Sequence, residues 1–261
     1  MCSINHKLKA IYIHIPKNGG QYIEYMLHNY YGFEIMENNI NFKNVFYSSY
    51  GFEIIEKNEC LKNELITKNG IFRFCSMSEY FNNVFNMDDY KWKSYYKFTF
   101  TRNPYDKIFS AWKYCVKHNR YFDTFKNFIF TDFENFKNCI DFNNKNFIFF
   151  HGFITQYQQL IDKCKIFNID FIGKFENLTN DFKIVLQKLG INNIDIISNF
   201  DKKINESNIY INSHPIYFYN EYDNSMIDRV NTLFFKDFIT FNYKIYETTY
   251  DLHNSQSSIY L

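Results

Sequence analysis

The chain has 261 residues, enough to bury one sizeable core, and a formal net charge of +1, which excludes a global electrostatic pull toward nucleic acid or a membrane surface. Aromatic residues make up 22% of it, with 32 Phe and 23 Tyr, so a given Phe or Tyr carries little information and the rare residues carry more. The only arginines are Arg73, Arg102, Arg120 and Arg229, and the only prolines are Pro16, Pro104 and Pro215.

In chain order, Met1 to Ala10 is polar and too short for a signal peptide. No later run approaches the length of a membrane span. Ala10 to Ile15 is β-branched and aromatic and reads as a buried strand, which Pro16 stops because it cannot donate to a ladder. Ile23, Met26, Leu27 and Tyr30 share one helix face, with Gly32 as the C-terminal cap. Pro16 to Gln21 is then a tight loop joining strand to helix. Its amides stand at a helix N-terminus, where anions are favoured, and Gly19 and Gly20 let backbone approach a ligand. Lys17 adds a mobile positive charge, completing a cradle for phosphate or sulfate. A bare Lys-x-Gly-Gly also serves as an ordinary connection, and its spacing is not that of the common P-loop.

Gly70 to Cys75 reads as a second strand, and Ser76 to Asn86 as a helix capped by Ser76 or Ser78. Tyr95 to Thr101 is a third strand. Arg102-Asn103-Pro104-Tyr105-Asp106 follows, with Asn103 as N-cap and Pro104 at the first helical position. The helix then carries Ile108, Ala111, Trp112 and Cys115 on one face. Tyr121 to Ile140 is a core helix rich in Phe. Ile166 to Phe175 holds another strand, and a helix with Phe182, Val185, Leu186 and Leu189 ends at Gly190. Ile191 to Ser213 is a polar surface excursion. Met226 to Phe241 is one helix with Ile227, Val230, Phe234 and Phe238 inward. Strands alternating with helices give an α/β fold: one domain over residues 1–246, with a central, mainly parallel sheet flanked by helices. A polar tail, 247–261, is expected to be poorly ordered. Ligands of such sheets bind beyond the carboxyl ends of strands, where both charged loops stand.

Cys2, Cys60, Cys75, Cys115, Cys139 and Cys164 match neither a zinc knuckle nor a redox pair, so free buried thiols in a reducing compartment are expected. No cluster has metal-ligand spacing, and no metal is expected.

Arg102 ends a strand, and Ser110 lies about two turns into the next helix. A guanidinium binds phosphate bidentately, and a serine hydroxyl completes the set. His14-Ile15-Pro16-Lys17-Asn18-Gly19-Gly20-Gln21-Tyr22 and Phe98-Thr99-Phe100-Thr101-Arg102-Asn103-Pro104-Tyr105-Asp106-Lys107-Ile108-Phe109-Ser110-Ala111-Trp112 together resemble sulfotransferases that use 3′-phosphoadenosine 5′-phosphosulfate (PAPS), closest to the carbohydrate, sulfotransferase family 2-like group. Two later stretches are similar to the family as well. These are Phe171-Ile172-Gly173-Lys174-Phe175-Glu176-Asn177-Leu178 with Asp181-Phe182, and Tyr219 to Tyr222 through Lys236-Asp237-Phe238 to Tyr243. The likeness spans about residues 10 to 244. It departs at Gln21 and Tyr22, which replace small hydroxyl residues, and after the second strand, where the family's His is missing.

The resemblance implies a P-loop-like sulfotransferase fold and transfer of a sulfuryl group from PAPS to an acceptor hydroxyl, most readily a carbohydrate's. It implies that Lys17 and the backbone of Asn18, Gly19, Gly20, Gln21 and Tyr22 hold the 5′-phosphosulfate. Arg102 and Ser110 would hold the 3′-phosphate. Lys17 would also stabilise the leaving oxygen. The general base stays open among Glu79, His14 and His151. The alternatives are a catalytically lapsed nucleotide- or glycan-binding module and a P-loop-like nucleotide kinase. Cytoplasmic placement is expected, or the Golgi lumen if an N-terminal anchor has been removed. The partners are a glycan or other hydroxyl-bearing acceptor, with no nucleic acid and no membrane segment.

Overall fold

The structure, a computed structural model, describes residues 3–35, 45–48, 51–54, 89–117, 123–131, 153, 155–160, 168–192 and 220–254. The chain divides into two compact units, Met1–Thr101 with Gln156–Asn199, and Arg102–Thr155 with Phe200–Leu261.

In chain order, β1 (Ser3–Asn5) and β2 (Ala10–Tyr12) pair antiparallel, α1 (Gly20–Tyr30) follows, and β3 (Glu34–Ile35) returns to pair antiparallel with β1. Strands β4 (Val45–Ser48) and β5 (Gly51–Ile54) form a separate antiparallel pair. Helix α2 (Asp89–Ser94) leads into β6 (Tyr96–Thr101), which runs parallel to β2. Then come α3 (Pro104–Lys117), α4 (Phe125–Ile129) and α5 (Gln156–Leu160). Strand β7 (Phe171–Lys174) is parallel to β6 and leads through a 3-10 turn into α6 (Leu178–Lys188). Helices α7 (Asn224–Leu233), α8 (Phe235–Thr240) and α9 (Thr249–Asn254) complete the described chain. The fold is α/β, and the main sheet among the described residues has the order β3-β1-β2-β6-β7. Strands β2, β6 and β7 are parallel, as the alternation of elements implies, and β1 and β3 add an antiparallel edge beside β2 that the sequence reading did not foresee.

In the first unit, Phe98 and Phe100 of β6 are fully buried. Their rings meet Tyr12 at 5.4 Å, Phe33 at 6.2 Å and Phe182 of α6 at 6.3 Å between centroids. The alternate residues Lys97, Thr99 and Thr101 are buried too, so their polar atoms need partners. Thr99 Oγ1 donates to Ile13 O at 2.7 Å and Thr101 Oγ1 to Gly173 O at 3.3 Å. Lys97 Nζ donates to Tyr95 O at 2.6 Å and Trp92 O at 3.0 Å, with Asp170 Oδ2 at 3.2 Å. Hydrogen bonding across β6 thus joins both neighbouring strands. The inner face of α1 is Tyr22, Ile23, Met26 and Leu27; Tyr30, expected on that face, is 40% exposed. Eight residues after Tyr22 the 100° helical step has carried it past the buried stripe.

The second unit is helical. Ile108, Ala111 and Cys115 of α3 share a core with Phe125, Phe128 and Ile129 of α4 and with Met226, Ile227 and Val230 of α7, and Trp112 packs against it partly buried. The helix expected from Met226 to Phe241 is two helices, broken at Phe234, whose φ of −112° and ψ of 20° leave the helical region. Phe234 is fully buried in the core, so packing overrides an unbroken apolar period. The segment from Glu247, expected to be poorly ordered, holds α9, with Leu252 fully buried. Cys115 is buried and forms no disulfide, as expected; the other five cysteines lie outside the described residues. The expected strand Gly70 to Cys75, the helix Ser76 to Asn86 and the excursion beyond residue 192 also lie outside them. Among the described residues no helix is long and apolar enough to cross a membrane.

Candidate donor-binding loops

The first loop leaves β2 at its carboxyl end. Ile13 N still donates to Phe98 O at 2.9 Å, and Ile13, Ile15 and Pro16 are buried. The chain then turns through Lys17 at φ 72° and Gly19 at φ 76°, both left-handed. A glycine accepts that conformation freely, whereas a lysine held there is strained. Gly19 is the N-cap of α1, and its carbonyl receives Tyr22 N at 3.0 Å and Ile23 N at 3.3 Å. As a glycine it has no side chain with which to cap the helix. Lys17 to Gly20 is therefore a left-handed turn opening directly into a helix N-terminus, as the sequence reading required.

The side chains of this loop divide. Lys17 is partly exposed and Gln21 exposed, while Asn18 and Tyr22 turn inward and are buried. Asn18 Nδ2 donates to Phe100 O at 2.8 Å and to Gln156 Oε1 at 2.7 Å. Tyr22 occupies the place of a family hydroxyl residue, but it belongs to the buried face of α1. Of these two residues, only Asn18 then offers its backbone to an anion, since Tyr22 N is spent on Gly19 O.

His14 supports the loop from within. Its Nδ1 lies 2.9 Å from Glu24 Oε1 on α1, and its ring stacks on Tyr12 at 6.1 Å. A Cβ on Gly20 would lie 2.3 Å from His14 Nε2, so the ring fills the space a side chain would need. Burial alone would raise the Glu24 carboxyl, but the hydrogen bond and charge of His14 outweigh it and hold Glu24 below its ordinary value. Of the three candidate bases, His14 is thus occupied in packing and pairing beside the loop. Glu79 and His151 lie outside the described residues.

The second loop belongs to the second unit. Asn103 caps α3 as expected: its Oδ1 accepts Tyr105 N at 3.1 Å and its backbone O accepts Lys107 N at 2.8 Å. Arg102 Nε donates to Asp106 Oδ2 at 2.7 Å, which fixes the plane of the guanidinium. Ser110 is partly exposed. Tyr105 is fully buried; its hydroxyl donates to Asn231 Oδ1 and accepts Tyr246 N, and its backbone O accepts the Tyr222 hydroxyl at 2.8 Å. Burial pushes the Tyr105 phenol well above its ordinary range, so it stays protonated and able to donate. Lys107 is fully buried over the Phe234 ring, and burial pushes it down to about 8 against the opposing charge of Asp237. The Arg-Asn-Pro-Tyr-Asp turn is in this way tied to the C-terminal segment that the sequence reading had joined to it only by resemblance.

The third similar stretch is also built around a polar anchor. Asp181 Oδ2 accepts Lys174 N at 2.6 Å and Oδ1 accepts Asn177 Nδ2 at 2.7 Å. A Cβ on Gly173 would lie 2.5 Å from the Phe100 ring, so glycine alone lets β7 lie so close to β6.

Comparisons with curated proteins and with solved structures each give no match. A family model described as the sulfotransferase family matches residues 2–244, which takes in both loops, the Asp181 turn and helices α7 and α8. With that span of the chain matched, the chain belongs to the sulfotransferase family, as a family 2-like member.

Proposed function

We propose that the protein moves a sulfuryl group from PAPS to a hydroxyl of a carbohydrate. The observation that carries this reading is the loop from Pro16 to Gly20, a left-handed turn with a partly exposed lysine that opens into a helix N-terminus whose cap residue, Gly19, has no side chain to occupy it. Such a terminus presents unpaired amides and the positive end of a helix dipole, and it favours a dianion. Membership of the family supports sulfuryl transfer as the reaction.

In this reading the amides of Asn18 to Gln21 hold the 5′-phosphosulfate, while that of Tyr22, expected to join them, donates to Gly19 O instead. Arg102 and Ser110 hold the 3′-phosphate, the feature that separates this donor from other adenine nucleotides. The acceptor oxygen bonds to sulfur as the sulfur's bond to the bridging phosphate oxygen breaks, and the hydroxyl proton passes to a base, for which Glu79 and His151 remain the candidates. Lys17 neutralises charge growing on the bridging oxygen. One such donor is worth about 2.7–4 kcal/mol, or about 10²–10³-fold in rate.

The test compares binding of adenosine 3′,5′-bisphosphate, the nucleotide product, with that of adenosine 5′-phosphate. Arg102→Ala should weaken the bisphosphate by about tenfold or more and leave the monophosphate nearly unchanged. Lys17→Ala should lower transfer of radiolabelled sulfate to a glycan panel by about 10²–10³-fold. Equal losses for both nucleotides in Arg102→Ala, or full transfer by Lys17→Ala, would overturn the assignment.

A second reading, a binding module that has lost transfer, is favoured by one observation: Tyr22 stands in a family hydroxyl's place with its side chain buried. Bisphosphate binding without transfer to any acceptor in the panel would select it.

A further inference from the structure

Lys17 sits at φ 72°, a conformation that a lysine adopts only when its surroundings impose it. Gly19 at φ 76° turns the chain again. The hold comes from Asn18, the residue between them, whose side chain is 1% exposed. Its Nδ2 spends one hydrogen on Phe100 O at 2.8 Å and the other on Gln156 Oε1 at 2.7 Å. The carbonyl at Phe100 can only accept, so the orientation of the Asn18 amide is fixed, and Gln156 must present oxygen to it. Gln156 is itself fully buried at the start of α5, and it is 138 residues away in sequence.

The other atom of that amide shows what the arrangement favours. Asn18 Oδ1 is buried with no hydrogen-bond partner among the described residues. A buried acceptor left unpaired is unfavourable, so this contact is not arranged for stability alone. It fastens the residue after Lys17 to the end of β6 and the start of α5.

We infer that Gln156 is a positioning residue of the anion-binding loop, holding Lys17 in its left-handed turn through the side chain of Asn18. It touches no substrate. Its effect on donor binding rests on the PAPS reading given above; its effect on the loop does not.

Two variants separate the anchor from simple loss of packing. Gln156→Leu keeps the bulk and removes the acceptor. Gln156→Glu keeps an acceptor oxygen where Asn18 needs one. Hydrogen–deuterium exchange of the segment from His14 to Glu24 should be about tenfold faster in Gln156→Leu and near wild type in Gln156→Glu. The β6 segment Tyr96–Thr101 should stay protected in both. Adenosine 3′,5′-bisphosphate should bind about tenfold or more weakly to Gln156→Leu and within about threefold of wild type to Gln156→Glu. In a Lys17→Ala background, Gln156→Leu should cost less than it does alone, because the side chain it positions is gone and only the loop amides remain.

Unchanged loop exchange in Gln156→Leu, or equal loosening of the loop and β6, overturns the anchor. So does a binding loss that is as large without Lys17 as with it. If the wild-type protein fails to bind the bisphosphate, the donor reading falls, and the exchange measurement still decides the anchor.

Discussion

Gly20→Ala is the sharpest test of the loop's geometry. An added Cβ would lie 2.3 Å from His14 Nε2, 2.5 Å from Cε1 and 2.6 Å from Cδ2, so it meets the flat of the ring and not a mobile tip. The ring is held on its other side by Glu24 at 2.9 Å and by the stack on Tyr12. Forcing a methyl group into such a site costs about 1–3 kcal/mol, and loss of a charge-assisted bond like that to Glu24 adds about 1–2 kcal/mol. The gain in helix propensity returns at most about 1 kcal/mol. The net expectation is a loss of about 2–3 kcal/mol, read as a fall of about 1 M in the urea midpoint with an unchanged slope. His14→Ala removes the obstruction, so in the Gly20→Ala background it should cost at least about 1 kcal/mol less than it does alone. A strictly additive double variant would refute the claim that the ring is what excludes a side chain at residue 20.

Three further outcomes follow from the second unit. Lys107 is held at about 8, against an ordinary 10.5, so between those values the unfolded chain binds more protons than the folded one and stability must rise with pH. The rise is worth about 3 kcal/mol at most, and urea unfolding from pH 7.5 to 10 should show it in the wild type but not in Lys107→Met. Asp223 caps α7, accepting Met226 N at 2.9 Å, Ser225 Oγ at 2.5 Å and Lys126 Nζ at 2.7 Å. Asp223→Ala should cost about 1 kcal/mol at pH 7. The hydrogen bond from Lys126, then that from Ser225, holds the Asp223 carboxyl at about 2, so its contribution is complete above its ordinary value of 3.8 and fades as pH falls through 2; the gap between wild type and variant should narrow over that range.

The parts of this molecule that were legible in the sequence are those set by local chemistry. Pro16 ends a strand for want of an N–H, Asn103 and Pro104 start a helix by capping and by a preset φ, and Gly19 permits the turn between. None of these needs a distant partner. What was illegible depends on partners far along the chain. Strands β1 and β3 are short and have no period, and Asn5 secures that edge by donating to Tyr31 O and Gly32 O, each at 3.0 Å. The break at Phe234 leaves the apolar spacing intact, so no pattern marks it. Asn18 looked like one more loop residue offering an amide, and its pairing with Gln156 has no local signal at all. His14 was one of three candidate bases, and no local signal showed that it pairs with Glu24 and fills the space above Gly20.

The composition makes a further point about how this fold is specified. With so many phenylalanines and tyrosines, apolar burial alone fits many registers about equally well, because a ring displaced from one site finds another ring beside it. Buried polar groups do not have that freedom. Lys97 needs the carbonyls of Trp92 and Tyr95, Thr99 needs that of Ile13, Asn18 needs Phe100 and Gln156, and Asp181 needs Lys174. A slip of one residue would strand each of them without a partner, a cost larger than any single aromatic contact returns. The aromatic background therefore supplies the drive to collapse, and a sparse set of buried polar residues selects the arrangement in which β6, β2 and β7 are in register and the lysine turn is held at the end of β2. It follows that exchanging one core apolar side chain for another, such as Phe182→Met or Phe128→Leu, should disturb the loops less than removing one buried amide.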